Sequence, residues 1–249
     1  MPSDQNALDI FKGEWWSQLP QQFAHLQAGQ IRVFEDPRVH WALSQLGNVN
    51  GQTVLELGPL EGAHSYMLER AGFSSILSIE ANPRAYLKCL IAKEIVGLTR
   101  TRFLCGDFLE YLRDSPAPID AVFASGVLYH MIDPAELIAL ASKFAGRLFL
   151  WTHYYDRSII SRNRNLRRRF RGGHQSEYAG FEHQLFRYEY GGSFRLARFC
   201  GGSRPYAHWM LREDIIACLK HFGFSEIRTG FEEPDHPNGP AFALIGLRS

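Results

Sequence analysis

The sequence predicts an α/β fold of the Rossmann-like kind, in which a mostly parallel seven-stranded sheet ends in an antiparallel strand. First, apolar runs of strand-forming residues alternate with helical patterns from residue 53 onward. Second, the run Thr53–Leu57 ends in a glycine turn that leads into a helix closed by Gly72, which is how a nucleotide-binding βαβ unit begins. Third, the last two runs, Phe224–Thr229 and Ala241–Leu247, predict a closing hairpin.

Length and composition fit one α/β domain with an appendage. The chain has 249 residues, and its apolar and charged contents of 45% and 21% are ordinary for a globular protein. We expect a helical N-terminal cap over residues 1–50 and a main domain over residues 51–249, with an insertion at about 153–209. No apolar stretch reaches the roughly 18 residues of a membrane span, and the first residues lack a signal-peptide pattern. The sequence therefore predicts a cytoplasmic protein with no membrane partner.

The cysteines are scattered and no C-x-x-C pair occurs among them. This distribution predicts free or buried thiols in a reducing compartment, and it predicts no metal site.

Residues 1–50 carry aromatic and apolar side chains at three- and four-residue steps. The positions concerned are Phe11, Trp15, Trp16, Leu19 and Phe23. One interpretation is a helical layer packed against the sheet, and the alternative is a lid that uses Trp15 or Trp16 to exclude water from a ligand. A further helix is predicted after Asp36, because Asp is a favoured N-cap and Pro37 suits the first helical position.

The spacing of apolar residues continues to alternate between strand-like and helix-like patterns, and it predicts the elements between the first strand and the insertion. They are a second strand at Ile76–Ile79, a helix from Pro83 to Gly97, a third strand at Thr101–Cys105, a fourth at Ile119–Ala124, a helix beginning at Asp133-Pro134, and a fifth strand at Arg147–Trp151. After the insertion, the stretch WMLREDIIACLKHFGF predicts the last helix.

The glycine turn after the first strand has the form E-x-G-x-x-x-G, with Glu56, Gly58 and Gly62. A dinucleotide site needs G-x-G-x-x-G, so that bare backbone amides can approach a pyrophosphate. Here Leu60 replaces the second glycine and Glu61 adds a negative charge. S-adenosyl-L-methionine has no phosphate and carries a sulfonium cation, so this turn favours a methyl donor over NAD.

Glu80 is the second sign of a nucleoside-containing ligand. It ends the second strand 22 positions beyond Gly58, close to the spacing of about 20 expected for a carboxylate that hydrogen-bonds ribose hydroxyls. We therefore predict that Glu80 holds the ribose of the donor.

Four stretches in this order resemble successive motifs of class I S-adenosylmethionine-dependent methyltransferases. They are VLELGPLEG, the acid in SIEAN, the GDF at residues 106–108 and SGVLYHM at residues 125–131. The resemblance covers about Val54–Thr152, and the closing hairpin is also typical of these enzymes. Two further patterns, the G-x-H after the loop and the GVLYH, resemble the tRNA wobble-uridine carboxymethyltransferase branch of this class. Within that branch, the sequence most resembles bacterial methyltransferase-like proteins whose substrates are mostly unassigned.

The resemblance implies S-adenosyl-L-methionine as donor and S-adenosyl-L-homocysteine as product. The donor-binding residues that it implies are Glu56, Gly58, Pro59, Gly62, Glu80, Ala81, Asp107, Phe108 and Ser125. An acid at the place of Asp107 bonds the adenine amino group in that family, and the next residue packs against the ring. The alternative is that Asp107 only caps the helix that follows it.

Residues that follow strands four and five are the candidates for contact with the methyl acceptor, because ligands of such sheets bind at the carboxyl ends of the strands. We predict Tyr129, His130 and His153 as catalytic or orienting residues and Tyr154 as substrate-binding. His130 would act as a base only if the acceptor keeps its proton near neutral pH. The alternative is a packed, hydrogen-bonded histidine.

The charge of the chain is uneven, since residues 151–210 hold 11 Arg, no Lys and 4 acids. Arginine binds carboxylate or phosphate bidentately, so Arg167, Arg168 and Arg169 predict an anion clamp; the alternative is a solvated face. The stretch Phe181–Phe199 predicts a β-hairpin around Gly191-Gly192, and the whole insertion is predicted to lie over the mouth of the cleft.

The predicted function is methyl transfer to an O or N atom of an anionic small molecule. The alternatives are a tRNA-modifying methyltransferase or carboxymethyltransferase, an NAD-dependent oxidoreductase, and a donor-binding protein without catalysis. Leu60, Glu61 and the closing hairpin disfavour NAD. No appended RNA-binding domain is recognisable, which makes nucleic acid the weaker choice of partner, and the oligomeric state is left open.

Overall fold

A computed structural model describes residues 1–114, 117–196 and 199–248. The chain divides into two compact units, Met1–Phe108 and Leu109–Ser249. The boundary between these units differs from the boundary predicted at residue 50. The role of residues 1–50 as a cap stays a prediction.

The first unit carries three parallel strands and the helices that connect them. Its strands are β1 (Thr53–Leu57), β2 (Ser75–Glu80) and β3 (Thr101–Cys105), and its helices are α1 (Asp4–Asp9), α2 (Pro37–Leu46), α3 (Ala63–Ala71) and α4 (Pro83–Val96). Strand β2 pairs in parallel with both β1 and β3. The predicted strand, glycine turn and helix are confirmed, and so are the second and third strands.

Local chemistry sets the ends of these helices. The Asp36 carboxylate accepts a hydrogen bond from the amide of Arg38 at 2.9 Å, and Pro37 occupies the first position of α2. Asn82 caps α4 in the same way, again with a proline at the first position. The C-caps of α3 and α4 are Gly72 and Gly97, both in the left-handed conformation.

The N-terminal segment packs as an aromatic and aliphatic layer, although it is helical only in part. Residues 11–20 are not helical, so the predicted helical periodicity from Phe11 to Leu19 is wrong. Leu8, Leu19 and Phe34 are nevertheless buried in one cluster with residues of α3, α4 and β3. A parallel bridge between Ser17 and Ile31 satisfies part of the backbone that a helix would have satisfied.

The second unit completes the large sheet and carries the insertion. Its strands in the large sheet are β4 (Ala121–Ser125), β5 (Arg147–His153), β9 (Glu226–Glu233) and β10 (Ala241–Leu247). Its helices are α5 (Phe108–Arg113), α6 (Pro134–Phe144), α7 (Arg157–Arg162), α8 (Arg164–Arg167) and α9 (Arg212–His221). Helix α5 begins at the last residue of the first unit. Strands β4 and β5 are parallel, whereas β10 is antiparallel to both β5 and β9.

The seven-stranded sheet has the order β3-β2-β1-β4-β5-β10-β9. This order, with its antiparallel final pair, confirms the predicted fold class. The β10 strand is buried from Ala241 to Gly246, because it lies between β5 and β9 in the sheet.

The insertion contains a separate antiparallel sheet of β6 (Phe170–Tyr178), β7 (Phe181–Glu189) and β8 (Tyr206–Met210) in that order. An antiparallel hairpin is present in the insertion, but its position differs from the prediction over Phe181–Phe199: Phe181–Glu189 is a single strand, and the hairpin turn is Ala179-Gly180, between β6 and β7. Residues 197 and 198 of the predicted stretch lie outside the described residues. Both turn residues have positive φ, at 48° and 82°, which is what a two-residue hairpin turn requires. Gly191–Arg195 forms a 3-10 turn instead.

The last predicted helix also begins later than expected. Trp209 and Met210 belong to β8, and α9 begins at Arg212. Among the residues that the structure describes, no helix combines the length and the apolar character needed to cross a bilayer.

Candidate functional site

The loop between β1 and α3 has the backbone of a glycine turn, although its central residue is a leucine. Gly58 and Gly62 have φ values of 66° and 76°, and Leu60 has φ 57°. The left-handed conformation costs a non-glycine residue about 1 kcal/mol, since the Cβ approaches the following carbonyl. Leu60, which the sequence shows as a departure from the commoner motif, thus adopts the conformation that a glycine would take at that position.

The amides of this loop are already used within the protein. They donate as follows: Gly58 to the carbonyl of Ile79 at 2.9 Å, Leu60 to Glu80 Oε2 at 3.0 Å, and Glu61 and Gly62 to the carbonyl of Pro59 at 2.6 and 2.9 Å. Pro59 has no amide hydrogen. A pyrophosphate is normally held by unpaired amides at such a turn. The loop therefore lacks the feature that a dinucleotide site needs.

The Glu80 carboxylate is fixed at the end of β2. Its Oε1 accepts a hydrogen bond from the amide of Asn82 at 2.9 Å, while Oε2 accepts from Leu60. Burial raises the pKa of Glu80, and the amide hydrogen bonds only partly oppose this. A carboxylate has about four acceptor sites, so the fixed group retains capacity for hydroxyl donors such as those of a ribose. The neighbouring Ala81 is exposed.

Glu56 in β1 is a second buried carboxylate near the loop. Its Oε2 accepts hydrogen bonds from Ser65, in a very short contact, and from Ser78 at 2.7 Å. Its Oε1 is buried without a hydrogen-bond partner in the described part of the chain. Burial raises the pKa of this carboxyl group. An unsatisfied buried acceptor is costly, so Glu56 fits a site that a donor group of a ligand completes.

Glu61 does not present its charge to a ligand, which corrects one argument made from the sequence. Its carboxylate is 1% exposed and pairs with Lys88 Nζ at 2.6 Å. It also accepts hydrogen bonds from the amide of Trp16 at 3.1 Å and that of Ser17 at 2.8 Å. Glu61 therefore anchors the N-terminal segment to the loop, and it is the occupied loop amides that disfavour a pyrophosphate.

The histidine of the G-x-H pattern ties α3 to the start of α2. His64 Nε2 lies 3.0 Å from Asp36 Oδ2, and Arg38 binds the same carboxylate at 2.6 Å. Burial alone would raise the pKa of Asp36, but the hydrogen bonds from His64 and Arg38 hold it well below its ordinary value. The sequence analysis identified Asp36 only as a helix cap.

The remaining predicted donor residues follow the ends of β1, β3 and β4. Asp107 is exposed and Phe108 is buried, while the preceding Gly106 has open space where a Cβ would lie. Ser125 is half-buried at the end of β4. Both roles of Asp107, the adenine contact and the helix cap, stay predictions.

In the second unit, the three predicted catalytic residues lie together. The Tyr129 ring centroid is 4.1 Å from that of His130 and 4.6 Å from that of His153. Trp151 and Trp209 complete the group with edge contacts to Tyr129, each at 6.1 Å. We refer to Tyr129, His130, Trp151, His153 and Trp209 as the aromatic cluster.

His130 is held neutral within this cluster. Its Nδ1 lies 2.6 Å from the hydroxyl of Tyr190. Burial, and then the nearby His153, lower the pKa of His130 to about 3. A group with so low a pKa is a weak base at neutral pH, whereas a neutral imidazole can still orient an acceptor by hydrogen bonding.

His153 is 4% exposed, and a backbone contact orients its ring. Its Nδ1 donates to the carbonyl of Gly239 at 2.8 Å, so the proton of the neutral ring is on Nδ1. The ring stacks on Trp209 at 5.1 Å, and Tyr188 stacks on Trp209 at 5.0 Å. These three stacked rings give His153 one fixed orientation.

Tyr190 and Trp209 were not predicted from the sequence as site residues. Tyr190 lies beside the glycine pair that the sequence assigned to a turn, and Trp209 lies in the stretch assigned to the last helix. Their aromatic character was the available signal, but only the pairing of β7 with β8 places them next to His130 and His153.

Tyr154 belongs to a different group of side chains. It is 6% exposed, and its ring packs against Phe242 with centroids 5.5 Å apart. Burial raises its pKa, followed by the charge of Glu232. The predicted role of Tyr154 in substrate binding stays a prediction.

The three predicted arginines of the clamp have different surroundings. Arg167 and Arg168 are exposed at the end of α8. Arg169 donates to the carbonyls of Glu189, at 3.4 Å, and Tyr190, in a very short contact. Arg169 therefore fixes the end of β7. In the described residues, no group of three or more His, Cys, Asp or Glu side chains is placed to hold a metal ion.

The chain is similar to known methyltransferases in sequence and in fold, although no protein-family model matches it. It is 31% identical over 99 residues to the tRNA U34 carboxymethyltransferase of Psychrobacter arcticus, covering 36% of this chain and 28% of that protein. It is 29% identical over 115 residues to the same enzyme of Chromohalobacter salexigens, covering 43% and 34%. The chain thus matches about a third of the length of these curated relatives.

Solved structures resemble the whole chain. The N-terminal domain of EvdMO1 with SAH bound has a TM-score of 0.74 at 20% identity, over 98% of this chain and 95% of that one. Magnesium protoporphyrin IX methyltransferase (ChlM) of Synechocystis with bound SAH has a TM-score of 0.61 at 19% identity, over 99% and 100%. The chain therefore has the fold of class I S-adenosylmethionine-dependent methyltransferases, and the predicted class is confirmed at the level of the fold.

Proposed function

We propose that the protein is an S-adenosyl-L-methionine-dependent methyltransferase that modifies an O or N atom of an anionic small molecule. One observation carries the choice of donor: each amide of the loop 58–62 already has a protein acceptor. A phosphate-free donor needs no amide cradle, whereas a dinucleotide does. The fixed Glu80 carboxylate and the buried, unsatisfied Oε1 of Glu56 supply acceptors for hydroxyl and amine donors.

The residues fit the donor in the following roles. Glu80 would accept the ribose hydroxyls, Glu56 would take a donor hydrogen of the ligand, and Asp107 and Phe108 would hold the adenine. When bound, S-adenosyl-L-methionine supplies a methyl group on a positively charged sulfur. The acceptor atom must be aligned with that carbon–sulfur bond in a water-poor site, and positioning then supplies much of the acceleration.

The acceptor side is assigned to the second unit, where Tyr129, His130 and His153 meet. Because His130 is neutral with a pKa of about 3, its proposed part is to orient the acceptor and not to deprotonate it. This fits an acceptor that has already lost its proton, such as a carboxylate, or a nitrogen with a lone pair. An anionic acceptor also fits the arginine-rich segment.

The second candidate is modification of tRNA, and the relatives named tRNA U34 carboxymethyltransferase favour it. It would use the same donor residues with the arginine segment contacting phosphates. A donor-binding protein without catalysis is the third candidate.

Transfer of labelled methyl groups tests the proposal. The protein is incubated with methyl-labelled S-adenosyl-L-methionine and, separately, with the small-molecule fraction and the tRNA fraction of a bacterial extract. We expect label in the products of those small molecules that an anion exchanger retained before the reaction, because methylation of a carboxylate removes its charge. At a limiting donor concentration, Glu80→Ala should transfer clearly less label than the wild type. Label only in tRNA would favour the second candidate, and no transfer to either fraction despite donor binding would favour the third.

A further inference from the structure

A cleft in the second unit lies between α7 and α8 on one side and the loop from β9 to β10 on the other. Its volume is about 460 Å³, within the range of small-molecule sites. Arg162, Arg164 and Leu166 line the helical side, and Asp235, His236 and Gly239 line the loop side. Arg162 and Arg164 belong to the arginine-rich segment that the sequence predicted as a solvated face or an anion clamp, whereas the residues of the loop side were not singled out from the sequence.

We infer that this cleft binds the anionic group of the methyl acceptor through the guanidinium groups of Arg162 and Arg164. The inference rests on the proposed function and specifies where the acceptor is held. The ligand chemistry is a carboxylate or a phosphate carried by a small molecule, because a guanidinium binds both groups through two parallel hydrogen bonds.

The charge of the cleft is positive. Arg162 and Arg164 are exposed, and neither forms an ion pair within the residues 1–114, 117–196 and 199–248. The charge of Arg162 contributes to the low pKa of Asp156, after the hydrogen bond from Ser158, but that carboxylate already caps α7. Asp235 is the acid of the lining, so two cations face one anion.

Capping interactions position the two arginines. Asn163 Oδ1 accepts hydrogen bonds from the amides of Asn165 at 3.1 Å and Leu166 at 3.0 Å, which starts α8 at Arg164. Arg162 is the last residue of α7. A single capping residue therefore separates the two arginines, and each is held on a helix end.

The loop side rests directly on the aromatic cluster. Gly239 has φ +117°, and a Cβ there would lie 2.7 Å from the Trp209 ring. Only glycine lets the loop lie this close without strain. The His236 ring lies 5.0 Å from His153 and 5.7 Å from Trp151, measured between centroids. An anion bound in the cleft would thus lie beside the rings assigned to the acceptor.

The His236 ring forms part of this wall. The amide of Asn238 donates to His236 Nδ1 at 3.2 Å, which holds the ring in place. The lining thus combines two cations, an imidazole ring and the apolar side chain of Leu166. This combination suits a small organic anion better than a fully hydrated ion.

Benzoate, phenyl phosphate and the neutral benzamide are suitable probes, since they share a ring and differ in charge. Binding to the full chain is measured by ligand-observed NMR and by calorimetry. The variant is Arg162→Ala with Arg164→Ala, and the matched comparison is Arg157→Ala with Arg204→Ala, which removes the same charge from exposed residues of the insertion that do not line the cleft.

We expect both anions to bind saturably to the wild type and at least tenfold more weakly to the 162/164 variant, with the 157/204 variant unchanged. The inference is overturned if neither anion binds, if benzamide binds equally well, or if the 157/204 pair causes an equal or larger loss. Salt-dependent binding of an oligoribonucleotide that both pairs weaken equally would also overturn it, in favour of RNA.

A titration with S-adenosyl-L-methionine separates this inference from the proposed function. Donor binding without binding of either anion rejects the cleft and leaves the methyltransferase proposal standing. Anion binding that depends on Arg162 and Arg164, without donor binding, supports the cleft as an anion site and rejects the methyltransferase.

Discussion

At the scale of single residues, His130 shows how burial sets a pH dependence. Its pKa is lowered to about 3, first by burial and then by His153, whereas an unfolded chain gives histidine a pKa of about 6.5. Between these values the unfolded chain binds a proton that the folded protein does not. Stability contributed by the neutral ring is therefore complete above pH 6.5 and is lost as the pH falls toward 3.

The variant His130→Gln should flatten this dependence, because glutamine keeps a hydrogen-bonding group but does not titrate. Linkage limits the change of the unfolding free energy with pH to about 1.4 kcal/mol per pH unit for one group. We expect His130 to contribute about 1 kcal/mol per pH unit, because its ring keeps some contact with solvent. Urea denaturation at pH 7.5, 5.5 and 4.5 measures the unfolding free energy of the wild type and of the variant. His208, whose pKa burial also lowers, contributes equally to both, so it cancels in the comparison. Identical slopes would mean that His130 titrates normally.

Leu60 supports a second residue-scale prediction, since its φ of 57° strains any residue but glycine. Both Leu60→Gly and Leu60→Ala remove the contacts of the leucine side chain, and the two variants differ from each other by only one methyl group. They differ mainly in how easily the backbone adopts a positive φ. We expect the glycine variant to be the more stable by about 1 kcal/mol, although glycine normally costs stability relative to alanine. Thermal or urea denaturation of the pair measures this, and an alanine variant of higher stability would argue against a left-handed Leu60.

At the scale of elements, the N-terminal segment is joined to the loop 58–62 through one buried ion pair. Glu61 and Lys88 are 1% and 5% exposed in their side chains, and Glu61 also binds the amides of Trp16 and Ser17. The segment predicted from the sequence as a layer or a lid is thus hydrogen-bonded to the predicted donor loop itself. Whether it moves stays a prediction.

Breaking this pair should loosen the segment. Glu61→Ala leaves Lys88 buried without its partner, which costs about 3–5 kcal/mol, and it removes the acceptor for two amides. Chymotrypsin should then cleave near Trp15 and Trp16 faster than in the wild type. Glu14→Ala is the matched control, because Glu14 pairs with the exposed Arg84 and such pairs contribute about 0–1 kcal/mol. Equal cleavage rates in both variants would show that Glu61 does not anchor the segment.

The hairpin of the insertion shows what a local sequence rule can and cannot provide. Gly191-Gly192 is the stronger turn signal by composition, but the pairing of β6 with β7 selects Ala179-Gly180. With that turn, Leu185 and Phe181 are buried, because alternate residues of β7 face the same side. The burial of alternate residues along β7 therefore decided the register, and the turn propensity did not.

At the scale of the whole molecule, the seven-stranded sheet with its antiparallel end was predictable because each strand has its own apolar run and turn. The positions of the glycine loop and of Glu80 at the end of β2 were predictable for the same reason, since they are fixed by distance along the chain, whereas their roles toward a donor stay predictions. The contacts of Glu61 with Lys88, and of His130 with Tyr190, join residues 27 and 60 positions apart. No periodicity in the sequence reports such contacts, so the charge of Glu61 was assigned to the wrong role.

The grouping of the residues proposed for the acceptor side was predictable only in part. Tyr129, His130 and His153 could be placed together because they follow strands of one sheet. The cleft of Arg162 and Arg164 could not, because the loop from β9 to β10 that forms its other wall comes about 70 residues later in the chain. Six arginines within ten residues looked alike in the sequence, whereas in the structure they have different neighbours.

The measurement that tests the central claim most directly is calorimetric titration of the protein with S-adenosyl-L-methionine and with NAD. We expect saturable binding of S-adenosyl-L-methionine and none of NAD. Glu80→Ala should weaken donor binding about thirtyfold, since a charge-assisted hydrogen bond contributes about 2 kcal/mol, while the exposed Glu94→Ala on α4 should leave it unchanged. Tighter binding of NAD, or an unchanged donor affinity in a folded Glu80→Ala protein, would contradict the assignment of the donor site.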